Sequence, residues 1–388
     1  MYYNDFKGLK LSALGMGNMR LPVLDDEKHS IDEETTARML DYCLANGINY
    51  FDTAWPYHDG NSEIVVGKIL SKYPRDSFYL ATKYPTFDKS YFSRYEEVFN
   101  KQLEKCQVDH FDFYLLHNIG SHNMQYFMDP ELGGKTIEYL VKQKEEGRIT
   151  HFGFSTHASN ADFVKFLDTY GEYMEFCQIQ LNWFDWDYQE AKFKVAELNK
   201  RNIPIWVMEP IRGGKLISFT EPYMDELKAI RPDDKITDWC FKYLRTIPGV
   251  TMILSGMSNE EQLRENIESF NNDDKLTEDE VNVIYGIKEK ILQAKMIPCT
   301  ACRYCTSICP MELDIPRLIE IYNDDMIADY AFQTPTSIKN LGEGKGPTDC
   351  IQCRQCETQC PQEFAIPDIL ADLAQRAADN PYAKREVK

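Results

Sequence analysis

Eight of the twelve cysteines in this 388-residue chain lie in two copies of one pattern. The first copy is Cys299, Cys302, Cys305, Cys309 and Pro310, and the second is Cys350, Cys353, Cys356, Cys360 and Pro361. Both copies read C-x2-C-x2-C-x3-C-P, a spacing that holds two [4Fe–4S] clusters through thiolate ligands. The pattern therefore predicts a protein that carries electrons.

The spacing also predicts how the thiolates are shared between the two clusters. Three cysteines two residues apart can bend onto three corners of one cube, whereas the fourth, held beyond by a proline turn, ligates the other cluster. This crossed arrangement resembles that of bacterial-type ferredoxins. The expected ligands are Cys299, Cys302, Cys305 and Cys360 for one cluster, and Cys309, Cys350, Cys353 and Cys356 for the other.

Zinc and disulfides are the alternatives for these cysteines. Structural zinc takes four ligands and has no use for a third C-x2 step followed by C-x3-C-P. Disulfides are disfavoured because the chain starts with the polar and acidic residues Met1–Asp5, so we expect no signal peptide. The other cysteines are scattered singly within apolar patterns, as buried thiols are: Cys43, Cys106, Cys177 and Cys240. Reduced thiols and oxygen-sensitive clusters indicate the cytoplasm.

Length and charge narrow the class of protein further. The formal net charge of −19 argues against binding to nucleic acid or to anionic lipid. No run of eighteen apolar residues is present, so we expect no membrane span. An acidic surface could attract a basic redox partner protein that exchanges single electrons. The length suits a barrel-sized domain with a small appendage.

Short apolar runs alternate with longer amphipathic stretches over most of the chain. The strand-like runs are Leu11–Met16, Asn49–Thr53, Phe78–Lys83, Phe111–His117, His151–Ser155, Phe176–Asn182, Ile203–Glu209 and Val250–Ser255. The helix-like stretches include Glu33–Asn46, Arg94–Cys106, Lys135–Glu146 and Ala191–Arg201. Eight β–α units predict a (β/α)8 TIM barrel. The second choice is an open doubly wound sheet, although no G-x-G-x-x-G follows an early strand.

We place the barrel in residues 1–275 and a small α-helical, ferredoxin-like domain in residues 276–388. A linker helix at 278–293 leads into the first cysteine run. Further helices are expected at Ile315–Tyr322 and Pro367–Ala378, with a glycine-rich turn between them and a charged tail at the end.

Four polar residues lie at or just after the ends of successive strand-like runs: Asp52, Tyr57, Lys83 and His117. The carboxyl ends of the strands are where catalytic residues of such barrels are found. Each residue alone has an ordinary explanation, such as a surface ion pair or a core hydrogen bond. Together they suit the reduction of a carbonyl, which needs a proton donor where negative charge develops.

The order of these four residues, and the run Asn61-Ser62-Glu63 that follows, resemble the aldo/keto reductase family over residues 11–270. The resemblance implies that Tyr57 is the acid. A lysine ammonium beside a phenol lowers the phenol pKa, so Lys83 would assist Tyr57, and Asp52 would hold Lys83. His117 would orient the carbonyl oxygen, and the hydride would come from a nicotinamide.

The same resemblance implies a set of cofactor contacts. Ser155 and Gln178 match residues that hold the nicotinamide carboxamide. Met208, just before the turn with Gly213, occupies a place where an aromatic residue commonly stacks. The residues that match contacts of the adenosine end are Ser258, Gln262, Glu265 and Asn266. The basic residues used on a 2′-phosphate are not at their usual places, and Arg264 is only nearby, so the cofactor is NADP or NAD. These differences from the family's cofactor-binding residues also allow FMN or FAD in the same site.

Three hypotheses follow. The first is an oxidoreductase acting on a small carbonyl compound or alcohol, whose clusters relay electrons to or from a redox partner, through a flavin if one is bound. The second is a plain NAD(P)H-dependent carbonyl reductase with structural clusters. The third is a redox-sensing binding protein, which would not need the four catalytic residues. Five aromatic residues could line a substrate pocket or pack between loops: Trp55, Tyr84, Phe87, Trp183 and Trp186.

Overall fold

The chain forms two compact units in a computed structural model. The structure describes residues 1–25, 30–297, 299, 301–328 and 330–383. The first unit comprises Met1–Ile217 and Met224–Asn282, and the second comprises Ser218–Tyr223 and Val283–Lys388. The domain boundary expected at 275/276 stays a prediction. None of the helices in the described part is long and apolar enough to span a membrane.

Twelve strands form within the described residues. They are β1 (Tyr3–Phe6), β2 (Leu9–Ser12), β3 (Leu14–Gly17), β4 (Val23–Asp25), β5 (Ser30–Ile31), β6 (Tyr50–Asp52), β7 (Tyr79–Tyr84), β8 (Phe111–Ile119), β9 (Ile149–Thr156), β10 (Cys177–Gln180), β11 (Ile205–Met208) and β12 (Val250–Ser255).

Eight of these strands, β3 and β6 to β12, close into a parallel barrel. Each pairs with the next along the chain, and β12 returns to pair with β3. The TIM barrel is therefore confirmed, and the open doubly wound sheet is excluded. Closure brings the carboxyl ends of all eight strands to one rim, because every strand runs in the same direction.

The first predicted strand needs a correction. The run Leu11–Met16 does not form one strand, because the chain turns at Ala13 and divides it between β2 and β3. Leu11 pairs with Asn4 in an antiparallel hairpin of β1 and β2, and only the later residues enter the barrel. Phe6 of this hairpin packs in the barrel core against Phe113 and Trp206. Apolarity alone could not locate the turn, since both halves of the run are buried.

Helices surround the barrel and build the second unit. In chain order they are α1 (Glu33–Ala45), α2 (Ser62–Leu70), α3 (Tyr95–Cys106), α4 (Met124–Phe127), α5 (Lys135–Glu145), α6 (Asn160–Tyr170), α7 (Asp185–Tyr188), α8 (Ala191–Lys200), α9 (Lys215–Thr220), α10 (Met224–Lys228), α11 (Ile236–Leu244), α12 (Glu260–Ser269), α13 (Glu278–Lys295), α14 (Tyr304–Ser307), α15 (Ile315–Ala328), α16 (Thr334–Lys339) and α17 (Ile366–Asp379).

The longer helices follow the amphipathic stretches of the sequence. In α1, the Asp32 side chain accepts a hydrogen bond from the Thr35 backbone N–H and starts the helix, while Met39, Leu40 and Cys43 face the core. The predicted helix at 315–322 extends to residue 328, and the charged tail continues beyond residue 383, outside the described residues.

Glu175 joins the hairpin to the barrel. Its carboxylate contacts Lys7, and it also lies 2.8 Å from Lys144 Nζ, 3.5 Å from His151 Nδ1 and 3.1 Å from the Phe152 backbone N–H. Burial acts to raise the pKa of Glu175, but the hydrogen bonds from His151, Lys144 and Lys7 outweigh it and hold the pKa well below its usual range. The carboxylate is therefore more favourable in the folded chain than in the unfolded one.

We expect Glu175→Gln to lower the free energy of unfolding by about 1.5–3 kcal/mol at pH 7, since charge-assisted hydrogen bonds are lost. Because the folded pKa is depressed, the advantage of the wild type exists above the unfolded pKa of about 4.3 and shrinks as the pH falls below it. Denaturant unfolding at pH 7 and pH 3 measures this. Glu172→Gln, an exposed neighbour, is the control; equal effects of both substitutions would contradict the prediction.

Candidate functional site

The structure brings three of the four predicted catalytic residues into direct contact. Lys83 Nζ donates to Asp52 Oδ1 at 2.5 Å, to the Thr53 backbone carbonyl at 2.8 Å and to Tyr57 Oη at 3.4 Å. Lys83 is fully buried, and Asp52 is 3% exposed. The ammonium thus links a carboxylate on one side to a phenol on the other.

The barrel register creates this contact. Asp52 is the last residue of β6 and lies opposite Ala81 on β7, two residues before Lys83. Tyr57 follows in a short turn, Tyr57–Gly60, in which His58 and Asp59 have φ values of 50° and 54°. A left-handed backbone is unusual for residues other than glycine and is often kept at functional sites. The turn returns the phenol to Lys83.

His117, the fourth residue of the group, lies on the neighbouring strand β8. Its ring lies edge-on to the Tyr57 ring, with 5.8 Å between the centroids, and Phe87 covers it at 4.9 Å. Burial, followed by Lys83 and His157, lowers the pKa of His117 well below its ordinary value. The imidazole is therefore neutral at pH 7, so one ring nitrogen can donate a hydrogen bond while the other accepts.

The protonation states differ in part from the sequence-based expectation. Burial acts to lower the pKa of Lys83, but Asp52 and Tyr57 raise it overall, so the ammonium persists at neutral pH. For Tyr57, burial raises the pKa, and the opposing effect of Lys83 is smaller. The expected lowering of the phenol pKa by Lys83 is present as a contribution but does not decide the net direction. The phenol is therefore fully protonated at pH 7.

A buried network behind β7 was missed in the sequence. Glu63, which has no exposed surface, accepts hydrogen bonds from Gln102 Nε2 at 2.6 Å, Thr82 Oγ1 at 2.7 Å and Lys105 Nζ at 2.7 Å. Gln102 also donates to the Lys83 backbone carbonyl at 3.0 Å. The network holds the backbone of Lys83 between α2 and α3. The only sequence signal is the run Asn61-Ser62-Glu63, which does not reveal its partners.

The residues expected at the nicotinamide lie at or near the ends of successive strands. Ser155 and Gln178 are buried on β9 and β10, where the Ser155 hydroxyl accepts from the Asn118 backbone N–H at 2.9 Å. Met208 is the last residue of β11, and Gly213 follows with φ 64° in the turn before α9. The structure therefore lines these four residues along the rim of the barrel.

The residues expected at the adenosine end lie between β12 and α12. The Gln262 side-chain oxygen accepts from the Ser258 backbone N–H at 2.8 Å, and Asn266 Nδ2 donates to Ser255 Oγ at 2.9 Å. Glu265 pairs with Lys235 at 2.5 Å. Hydrogen bonds within the chain thus order this segment before any ligand binds.

Several buried polar atoms at the rim have no hydrogen-bond partner among the residues that the structure describes: Asn18 Oδ1, Asp52 Oδ2, His117 Nδ1 and Gln178 Oε1. Unpaired buried polar atoms are costly and usually indicate a ligand or ordered water. The three oxygens are acceptors, so they can receive the N–H and O–H donors that a nicotinamide riboside carries. The predicted Ser155 and Gln178 pair is therefore compatible with that cofactor.

The aromatic residues divide into two groups. Tyr84 and Trp183 are fully buried, and Trp183 Nε1 donates to Cys240 Sγ at 3.3 Å, so both belong to the packed interior. Trp55, Phe87 and Trp186 keep exposed surface, and Lys105 Nζ lies 4.6 Å from the centre of the Trp55 ring. Only the second group can contact a substrate.

In the second unit, two cavities divide the eight motif cysteines. One is lined by Cys299, Cys302, Cys305 and Cys360. The other is lined by Cys309, Cys350, Cys353 and Cys356. These groups coincide with the two crossed ligand sets expected from the spacing. Apolar side chains such as Ile319 and Phe364 complete the first cavity, and Leu313 and Leu370 complete the second.

The backbone conformation of the first cysteine run is repeated in the second. Three pairs of equivalent residues other than glycine have positive φ: Ala301 and Gln352 (53° and 57°), Arg303 and Arg354 (65° and 59°), and Glu312 and Glu363 (51° and 57°). Helix α15 follows the first run, and α17 follows the second. Two copies of one strained loop thus turn their cysteines into two cavities.

Each cavity presents four cysteine side chains, which is the donor set that a [4Fe–4S] cluster takes. Among the described residues, no group of three or more His, Cys, Asp or Glu side chains could hold one metal ion. Zinc needs its ligands about 2.0–2.3 Å from one centre, whereas a [4Fe–4S] cube takes one thiolate at each iron corner. Burial and the neighbouring thiolates of Cys350, Cys305 and Cys353 raise the pKa of Cys356 to about 11. Like charges this close disfavour ionisation, and the iron of a bound cluster would offset that repulsion.

Comparison with known proteins finds a family match for the barrel region and another for the cysteine-rich region. The model of the aldo/keto reductase family matches residues 13–289, and that of the 4Fe-4S dicluster domain matches residues 298–366. The chain therefore belongs to the aldo/keto reductase family and carries a C-terminal 4Fe-4S dicluster domain. It is an oxidoreductase of that family.

Relatives share the barrel at moderate identity. "Uncharacterized oxidoreductase YqkF" of Bacillus subtilis (strain 168) is 26% identical over 325 residues, which cover 74% of this chain and 96% of the relative. "NADH-specific methylglyoxal reductase" of Escherichia coli (strain K12) is 26% identical over 319 residues, covering 68% and 91%. Among solved structures, aldo-keto reductase AKR11C1 from Bacillus halodurans in its holo form is 25% identical with a TM-score of 0.58, covering 74% of this chain and 95% of that chain.

Proposed function

We propose that this protein reduces a small carbonyl compound, or oxidises the corresponding alcohol, at the rim of the barrel, and that its clusters relay electrons to or from a redox partner protein. The observation that carries the proposal is the buried Lys83 ammonium, held by Asp52 at 2.5 Å and placed 3.4 Å from the Tyr57 hydroxyl.

In this proposal, Tyr57 donates its proton to the carbonyl oxygen as negative charge develops there. Lys83 stabilises the phenolate that remains, because it stays protonated and cannot move away from Asp52. Neutral His117 donates a hydrogen bond that orients the carbonyl oxygen. In the direction of alcohol oxidation, the phenolate accepts the proton instead.

A bound nicotinamide supplies or accepts the hydride at the carbonyl carbon. Ser155 and Gln178 would hold its carboxamide, with Met208 and Gly213 beside them. Ser258, Gln262, Glu265 and Asn266 would hold the adenosine end. The methylglyoxal reductase of Escherichia coli, which is 26% identical to this chain, is named as NADH-specific. The proposed cofactor is therefore NAD or NADP.

The relay is proposed from electron counting. Oxidation of one nicotinamide releases two electrons and one proton, and each [4Fe–4S] cluster ordinarily carries one electron. Two clusters therefore match the electrons of one hydride. A flavin, FMN or FAD, is a converter between the two kinds of transfer and belongs to this proposal as an additional cofactor.

Anaerobic purification, followed by visible spectra before and after adding NADH or NADPH, tests the relay. Bleaching of the cluster absorbance by either dinucleotide supports it. Oxidation of the dinucleotide by an added aldehyde with unchanged clusters would instead favour a plain carbonyl reductase with structural clusters. Acid extraction and mass measurement identify any bound flavin, and variants of Tyr57 separate reaction at the barrel from direct reduction of the clusters.

A further inference from the structure

The residue that follows the third cysteine differs between the two repeated runs. It is Thr306 after Cys305 in the first run and Glu357 after Cys356 in the second. Both cysteines are buried, and each lines one of the two cavities. Because the backbone conformation is repeated, a threonine and a glutamate occupy equivalent places beside two different cavities.

The hydroxyl oxygen of Thr306 is buried and has no hydrogen-bond partner among the described residues. The next hydroxyl in each run is engaged in the same way. Ser307 donates to the Tyr304 backbone carbonyl at 2.9 Å, and its equivalent Thr358 donates to the Gln355 backbone carbonyl at 2.8 Å. A buried hydroxyl without a partner is unfavourable and indicates an acceptor that the protein itself does not supply.

The sulfur side of the first cavity is where such an acceptor would lie. Burial raises the pKa of the Cys305 thiol, and the adjacent Thr306 hydroxyl acts in the opposite direction, as a donor close to the sulfur does. The sulfurs of a bound cluster carry negative charge and are stronger acceptors than a thiol. Hydrogen bonds to these sulfurs help to set the reduction potential, since they stabilise the extra electron of the reduced form.

Glu357 has the opposite effect at the second cavity, because it adds a negative charge. It pairs at 2.9 Å with Arg354, which lines that cavity, and Asp368 pairs with the same guanidinium at 2.5 Å. Arg303 lines the first cavity and, among the described carboxylates, pairs with Asp314 alone, at 3.2 Å. The arginine of the second cavity is therefore opposed by one more carboxylate. A nearby anion disfavours the addition of an electron to a cluster.

Two side chains near the second cavity could offset this difference, but both are already engaged. Gln352 Nε2 lies 4.0 Å from Cys350 Sγ and donates to the Pro367 backbone carbonyl at 3.0 Å. Lys345 Nζ lies 3.3 Å from Glu312 Oε2, so a carboxylate offsets its charge. Neither side chain matches the buried, unpaired hydroxyl of the first run.

We propose that the Thr306 hydroxyl donates a hydrogen bond to a sulfur of the cluster in the first cavity and that, with Glu357 at the equivalent place of the second, it makes this cluster the more easily reduced of the two. The inference rests on the proposed function, since it requires a cluster in each cavity. It gives the relay an order, because the first electron to enter then occupies the cluster of the first cavity.

The test measures both midpoint potentials in the full-length chain, by anaerobic redox titration followed with electron paramagnetic resonance. Cys309→Ser and Cys299→Ser, which should each keep one cluster, assign the two potentials to the first and second cavity. Thr306→Val removes the hydroxyl and keeps the shape. Reduction of the first cluster should become about 3- to 30-fold less favourable, which is about 30–90 mV at 59 mV per tenfold. Thr306→Ser keeps the donor and should retain the wild-type potential.

The second run allows the same test without a change in the first. Glu357→Thr and Glu357→Val both remove the charge, but only the threonine adds a hydroxyl, so it should raise the potential of the second cluster further. Thr358→Val, which removes a hydroxyl that is already engaged, is the control and should shift neither potential.

Three results would overturn the inference: unchanged potentials in Thr306→Val, equal potentials in the two Glu357 variants, or a wild type whose second cluster is reduced first. If Thr306→Val loses its iron, the comparison at Glu357 and the wild-type order still decide. A wild type that binds no iron when isolated anaerobically would instead show that the proposed function itself fails.

Discussion

Replacing Tyr57 by phenylalanine is expected to lower kcat for carbonyl reduction by roughly 10²–10⁴-fold, the usual contribution of a positioned general acid. The substitution removes the hydroxyl 3.4 Å from Lys83 Nζ and keeps the ring that packs against His117. Affinity for the dinucleotide should change little, because the hydroxyl acts on the carbonyl oxygen. Steady-state kinetics with a panel of small aldehydes, together with dinucleotide binding, measures both effects.

The pH dependence of the wild type provides a second measurement of the same residue. Because burial holds the pKa of Tyr57 above its ordinary value, the phenol stays protonated, and kcat/KM for reduction should be flat through neutral pH. It should fall only above the ordinary phenol pKa of about 10. The neutral His117 adds no step between pH 6 and 8.

Tyr73→Phe is the matched control, since it removes a hydroxyl that contacts Asp41 on the outer helices. It should leave kcat unchanged. Full activity of Tyr57→Phe, or a loss shared equally with Tyr73→Phe, would show that another group supplies the proton. Lys83→Met should reproduce much of the effect of Tyr57→Phe, because the phenolate would lose its neighbouring cation.

The second prediction with a large expected effect concerns the cysteines that line the two cavities. Cys299→Ser and Cys360→Ser are expected each to remove the same cluster, although the two residues lie in different runs. Anaerobically isolated protein should then hold about four iron atoms per chain in place of about eight. The double variant Cys299→Ser/Cys360→Ser should lose no more iron than either single variant. Cys299→Ser/Cys309→Ser should lose nearly all of it, because it affects both cavities.

Iron analysis and electron paramagnetic resonance of the reduced protein measure this result. Cys43→Ala, a buried thiol of the barrel, is the control and should retain all the iron. If Cys299→Ser/Cys309→Ser instead kept one intact cluster, the ligands would be grouped within each run, and the crossed assignment would be wrong.

Removal of the clusters should also weaken the second unit. Cys305 and Cys356 are part of its core, together with Leu318, Ile366 and Leu373. Binding of a metal centre contributes folding free energy where the site is not formed without it. Chelation of the iron is therefore expected to increase amide hydrogen exchange in α15 and α17, while the barrel strands remain protected.

The sequence predicted the barrel closely because parallel strands buried on both faces leave continuous apolar runs. Seven of the eight expected runs coincide with barrel strands to within a few residues, as at Val250–Ser255. The prediction of one strand at Leu11–Met16 was wrong, since both halves of this run are buried and the sequence does not mark the turn at Ala13. The short strands β4 and β5 and the helix α16 had no clear pattern.

The cysteine spacing by itself predicted which cysteines line each of the two cavities, because a C-x2-C-x2-C loop can direct only three thiolates to one site. The order of Asp52, Tyr57, Lys83 and His117 likewise indicated one rim. Only the tertiary structure decided the direction in which the pKa of Tyr57 is shifted, since the effect of burial outweighs that of the adjacent Lys83. It alone also revealed the hydrogen bonds of Glu63, whose partners lie on β7 and α3. Such contacts depend on closure of the barrel, which brings together side chains that no local spacing relates.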